Sequence, residues 1–80
     1  MNKRSPEYLF KCPEEAIKFG KNFKAIRIAQ GFSQEKLALE AGVERSTIVR
    51  IENARMNASL DMIFVLAKAL NVPTIRLFEY

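Results

Sequence analysis

Eighty residues with thirteen Lys or Arg, nine Asp or Glu and no histidine give a net charge of +4 and a pI near 9.5. A chain this short buries only about 60% of its unfolded surface, so it has one core and no room for a separate catalytic or effector domain. Its apolar share of 49% excludes disorder, and its longest apolar run, Met62 to Ala67, is far short of the roughly 18 residues that span a bilayer. The opening Met1-Asn2-Lys3-Arg4-Ser5-Pro6 carries charge without a following apolar segment, so no signal peptide is expected. Cys12 stands alone and can form no internal disulfide; a cytoplasmic location is expected.

Pro6 and Pro13 mark residues 1–13 as an N-terminal arm, part of which is expected to pack through Tyr8, Leu9 and Phe10. Residues 14–80 then read as one helical domain. Pro13 with Glu14 and Glu15 begins a first helix, because proline suits the first turn and acids suit the positive end of the helix dipole. Ile17, Phe19, Phe23, Ile26 and Gln30 follow at helical spacing, and Gly31 stops the run. Lys18, Lys21, Lys24 and Arg27 recur every three residues with no acid between them, either a solvated face or a stripe able to track phosphates. Ser33 caps a second helix that ends at Gly42, and a third runs from about Glu44 to Asn53. Ser59 and Asp61 start a fourth, Leu60 to Leu70. Asn71-Val72-Pro73 breaks it, and Thr74 to Phe78 forms a last short helix. No stretch alternates with strand period. The expected fold is all-α, with five short helices.

The informative segment is residues 34–53, QEKLALEAGVERSTIVRIEN. Ala38 is small where two helices would cross closely, and Gly42 supplies the left-handed turn between them. Val43 plugs the gap, while Ile48 and Ile51 seat the second of the two helices on the core. Glu44, Arg45, Ser46, Thr47, Val49 and Arg50 are left facing outward. A generic helical hairpin would not require the small residue and the glycine together.

Phe19 to Phe78 resembles the Cro/cI-type (XRE) helix-turn-helix family, the lambda-repressor-like domains. The resembling pieces are IRIAQGFSQEKLALEAGV, ERSTIVRIEN and SLDMIFVLAKALNVPTIRLF, which match without gaps. The resemblance implies a compact five-helix domain whose third helix enters the major groove of double-stranded DNA, with dimers on two half-sites about one turn apart. It implies base reading by Arg45, Ser46, Val49 and Arg50. Arginine grips guanine O6 and N7 through two bonds, and valine meets a thymine methyl. It implies backbone contacts from Gln34, Thr47, Asn53, Arg55 and Asn57, with Gln34 also steadying a base-reading neighbour. Arg27 and Glu52 match positions that form a structural ion pair. Three positions depart from the pattern: Glu44 at the recognition helix's cap, Ala54 where glycine is common, and Ala58 in place of a frequent proline.

Leu60, Ile63, Phe64, Leu66, Ala67 and Leu70 fit inward positions of the fourth helix, yet Met62, Val65 and Ala69 make a second face apolar as well. A helix apolar almost all round is buried on more than one side. A second copy of the chain is the expected cover, through Met62, Val65, Ala69, Leu77 and Phe78; the alternative is Tyr8, Leu9 and Phe10 folding back.

Enzyme readings lack parts: no histidine, a single cysteine beside a proline, and no acid pair in a metal or glycosidase pattern. Gly20, Gly31 and Gly42 cradle no phosphate, and neither metal nor cofactor is expected. The expected function is a homodimeric transcriptional regulator on a palindromic operator. Bare domains of this size resemble restriction–modification controller proteins, with phage-type repressors close behind. The alternative from another class is an antitoxin holding a toxin through the arm or a strand-like Thr74 to Tyr80.

Overall fold

The computed structural model describes residues 9–80, and from Pro13 onward four α-helices and one 3-10 helix follow each other, with no strand among the described residues. The helices are α1 (Pro13–Ala29), α2 (Gln34–Ala41), α3 (Arg45–Glu52) and α4 (Leu60–Leu70), and the 3-10 helix is Thr74–Phe78. The strand-like alternative for the C-terminal segment is thereby corrected. Residues 1–8, and with them Tyr8 and most of the expected arm, lie outside the described residues.

The helix starts are set locally. Pro13 opens α1 with Glu14 and Glu15 in its first turn. The hydroxyls of Ser33 and Ser59 accept the backbone N–H of Lys36 and Met62, each at 3.0 Å, and so satisfy an orphan donor at the head of α2 and of α4.

All four α-helices end in the same way. The N–H groups of Phe32, Val43, Arg55 and Val72 each reach back five residues, to the carbonyls of Arg27, Ala38, Arg50 and Ala67. Those of Gly31, Gly42, Ala54 and Asn71 reach back three. This is the Schellman closure, which needs a left-handed residue just past the helix. Two of the four positions carry glycine. The third is Asn71 at φ 64°, a residue that tolerates this conformation, and the fourth is Ala54 at φ 55°, which does so at a cost.

Phe23 and Ile26 of α1, Leu37 and Ala38 of α2, Ile48 and Ile51 of α3, and Ile63, Leu66, Ala67 and Leu70 of α4 form the core with Leu77. Gly20 lies buried where α1 crosses the end of α3. A Cβ there would stand 2.6 Å from the Glu52 carbonyl oxygen and 2.8 Å from that of Ile51.

Two expectations about the apolar faces are corrected here, for Leu60 with Phe64 and for Leu77. Leu60 (67% exposed) and Phe64 (44%) face solvent, one turn apart on α4, because the core covers only the arc through Ile63, Leu66, Ala67 and Leu70. Met62 and Ala69 pack in part against the protomer's own core. Leu77 is fully buried and cannot meet a second copy. Phe10 lines a cleft together with Leu60 and Phe78, so the arm's last residues reach the start of α4.

Candidate nucleic-acid interface

The recognition helix has two unlike sides. Ile48, Ile51 and Glu52 are buried, while Arg45, Ser46 and Arg50 are exposed, and Thr47 and Val49 sit half-buried between them. The period of 3.6 residues puts positions 48, 51 and 52 on one flank, which leaves the opposite flank as a polar edge.

Behind that edge runs a chain of side-chain contacts. Glu52 is buried, and its carboxylate accepts from Arg27 Nε and, at 3.3 Å, from Arg27 Nη2. Arg27 Nη1 donates to the Phe32 carbonyl at 2.7 Å, which ties the pair to the turn between α1 and α2. Glu52 Oε1 also accepts from Gln34 Nε2 at 3.1 Å, and Gln34 Oε1 accepts from Arg45 Nη2 at 3.4 Å. The structure therefore links Arg27, Glu52, Gln34 and Arg45 in one line, from the interior to the surface. Arg27 is buried and paired, so it leaves the exposed stripe of Lys18, Lys21 and Lys24. A buried pair of this kind costs desolvation on both sides, and what it secures is the placement of the elements that carry it.

A second, exposed chain crosses the outer edge. Ser46 Oγ donates to Glu44 Oε1 at 3.4 Å and accepts from Arg50 Nη2 at 3.3 Å. Glu44 holds the cap position in extended conformation, but its carboxylate makes no cap bond. It spends its charge on Ser46. Exposed contacts of this length are weak.

The loop after α3 is fixed from the main chain. Asn53 Nδ2 donates to the Val49 carbonyl at 2.9 Å, and the Arg55 N–H bonds the Arg50 carbonyl at 2.7 Å, which leaves the Arg55 side chain in solvent. Gln34, Asn53 and Arg55 thus flank the polar edge of α3. Asn57 is exposed as well. Its Nδ2 meets the Leu9 carbonyl at 3.4 Å, and its side chain lines the cleft beneath the arm.

Two features escaped the sequence reading. The Gln34–Glu52 contact joins residues eighteen apart in the chain and has no local signal. Gly20 had one: a glycine inside a helix costs about 1 kcal/mol against alanine, and a close approach is the usual reason to accept it.

The helix-turn-helix family model HTH_3 matches residues 23–77. The control protein C.BamHI of Bacillus amyloliquefaciens is 40% identical over 63 residues, covering 78% of this chain and 78% of its own. The crystal structure of the restriction–modification controller protein C.AhdI from Aeromonas hydrophila superposes with a TM-score of 0.79 at 38% identity, covering 81% of this chain and 98% of that one. That of the hypothetical transcription factor NHTF from Neisseria gives 0.76 at 30% identity, over 88% and 80%. With the turn at Gly42, the two-sided third helix and these likenesses together, the chain belongs to the helix-turn-helix family of DNA-binding transcription regulators, which are not enzymes.

Proposed function

We propose that the protein binds a palindromic operator as a homodimer, with α3 in the major groove of each half-site, and regulates the genes of a restriction–modification system. The observation that carries the DNA geometry is the polar edge of α3, with Arg45, Ser46 and Arg50 in solvent and the opposite side sealed in the core. Arg45, Ser46, Val49 and Arg50 read bases; Gln34, Thr47, Asn53 and Arg55 hold phosphates and so set the register. Asn57, exposed and in weak contact with the Leu9 carbonyl at 3.4 Å, joins the phosphate-holding set. The choice of genes rests on the likeness to C.BamHI and C.AhdI. Of the relatives named above, none is an antitoxin, and that reading is not carried forward. A cytoplasmic location goes with this reading, as for a regulator of bacterial-type operators.

Dimerisation rests on Leu60, Phe64 and Phe78, large apolar side chains left in solvent by the protomer, with Val65 and the outer edges of Met62 and Ala69 beside them. Selection of bound duplexes from a random pool tests both halves of the proposal at once. Two inverted half-sites about one turn apart are the expected product, and a single unrepeated site removes the dimer. In sedimentation, Phe64→Lys should give a folded monomer that binds the selected operator weakly.

A further inference from the structure

With Arg27 withdrawn into its ion pair, Lys18, Lys21 and Lys24 remain as the exposed basic stripe of α1, and the base- and phosphate-contacting set above uses none of them. α1 carries no acid after Glu15, and none of the three lysines is in an ion pair with a described residue. Their places around the helix differ. Two α1 residues touch the end of α3: Gly20, against the Ile51 and Glu52 carbonyls, and Arg27, on the Glu52 carboxylate. At about 100° per residue these two lie almost in line along α1. Lys24 stands between them, about 6 Å past Gly20 and turned roughly 40–60° out of that line, on the side away from the buried Phe23. Its stem therefore leaves α1 over Glu52 and Asn53. Lys21 and Lys18 are turned farther, by about 100° and 160° from Gly20. Both border a hollow with Asn22 and Tyr80 on the other flank of the helix, where Asn22 clasps the Arg76 and Leu77 carbonyls.

We infer that Lys24 is a phosphate contact supplied by α1, outside the helix-turn-helix itself, and that Lys18 and Lys21 stay off the duplex. The inference rests on the operator reading proposed above. In that reading Asn53 and Arg55, both exposed, hold phosphates at the end of α3 that Lys24 overhangs. Glu52, the acid at that end, is buried and already answered by Arg27, so it does not compete for the ammonium. A lysine ammonium is a compact charge on a flexible stem and binds phosphate without the fixed geometry a guanidinium needs. The stripe is thus two things: one lysine that continues the phosphate-binding edge from the α3 loop onto α1, and two that face the C-terminal segment.

The test is the salt dependence of binding to the selected operator, measured for the full chain and for Lys24→Gln, Lys24→Arg and Lys18→Gln, all at exposed positions that leave the core untouched. Each neutralised phosphate contributes about 0.9 to the slope of log affinity against log salt, so Lys24→Gln should lower its magnitude by about 0.9 per protomer. Scrambled duplex should show the same loss, since phosphate contacts carry no sequence. Lys24→Arg and Lys18→Gln should both keep the wild-type slope. In ethylation interference, one phosphate of each half-site should matter to the wild type and no longer to Lys24→Gln. An unchanged slope in Lys24→Gln overturns the contact. An equal fall in Lys18→Gln overturns it too, because the lysines then act only as a diffuse field. Either result leaves the operator reading standing, whereas a wild-type chain with a flat salt response removes both.

Discussion

The Gln34 carboxamide donates to the buried Glu52 carboxylate at 3.1 Å, and that contact decides which end of the amide Arg45 meets. With Nε2 committed inward, Oε1 faces out as an acceptor, which suits a guanidinium. Arg45 and Glu52 are seven residues apart and adjoin where the buried flank of α3 meets its polar edge, so Gln34 braces two turns of the helix from outside it. Arg45→Ala should therefore cost roughly 1–3 kcal/mol on the operator and relax preference at one base pair. Arg55→Ala, on the loop, should weaken operator and scrambled duplex alike and make the salt dependence shallower. Titrations of both variants on both duplexes check this. Equal losses of specific and nonspecific binding for Arg45→Ala would remove α3 as the reader.

Removing Arg27 leaves Glu52 buried without its cation. Arg27→Ala should cost about 3–5 kcal/mol in a urea melt, a large part of the roughly 5–15 kcal/mol a small domain has. The double variant Arg27→Met with Glu52→Leu should recover most of the stability, since no charge is stranded. It should not recover base preference, because Gln34 has lost the acceptor that orients it. A double variant that reads the operator like the wild type would show the inner chain to be irrelevant to recognition.

Gly20→Ala sets two effects against each other. Helix propensity favours alanine by about 1 kcal/mol. The added methyl would meet two backbone carbonyl oxygens at 2.6 and 2.8 Å, atoms that cannot rotate away. Overpacking of that kind costs roughly 1–3 kcal/mol, so the melting temperature should fall by several degrees. A rise would mean that α1 and α3 separate easily.

Ala54 offers the opposite case. Glycine there would relieve a left-handed strain of about 1 kcal/mol, but the methyl is 2% exposed and its burial contributes about 0.8 kcal/mol. Glycine also loosens the unfolded chain by a further ~0.4–1 kcal/mol. The sum is close to zero, and Ala54→Gly should change stability by less than about 1 kcal/mol in a denaturant melt. A loss above about 2 kcal/mol would show that the methyl matters more than its area.

Tyr80 titrates above the ordinary phenol range, first because its hydroxyl donates to Glu15, then through slight burial and the nearby negative charge. A raised folded value means the stabilising contact is fully present below the unfolded value near 10 and is lost as pH climbs through the folded one. In an ultraviolet titration the step that Tyr80→Phe removes should lie above the ordinary phenol value near 10. The wild-type advantage in stability, small at so exposed a site, should shrink only above about pH 10.

The helix ends were legible because their signals are local. Gly31 and Gly42 are the residues a left-handed turn calls for, and Ala54 could be marked as a departure before its φ was known. Leu60 and Phe64 were misplaced for the opposite reason. Periodicity locates an apolar arc, but α4 carries apolar residues on both flanks of its core face, and only the packed neighbours decide which flank is covered. Leu77 was misread because a five-residue segment has no period to count, and its direction comes from the clasp on α1, where Asn22 Nδ2 bonds the Arg76 and Leu77 carbonyls. The outer half of the interface followed from exposure alone. Its inner half, Glu52 to Gln34, needed α2 and α3 to be set side by side.

The contact at Gly20 makes α3 a lever. Its C-terminal end rests against the backbone of α1 with no side chain between, whereas the exposed Arg45 side chain near its N-terminal end makes one long contact, to Gln34. In the proposed complex, adjustment to a bent or overtwisted duplex is expected as a swing about Glu52. Position 45 lies roughly 10 Å up the axis from that pivot, so a tilt of about 5° carries it about 1 Å across the groove. In the proposed complex, base pairs met by Arg45 would be read by an arm with play, and phosphates met beside the pivot by one with almost none.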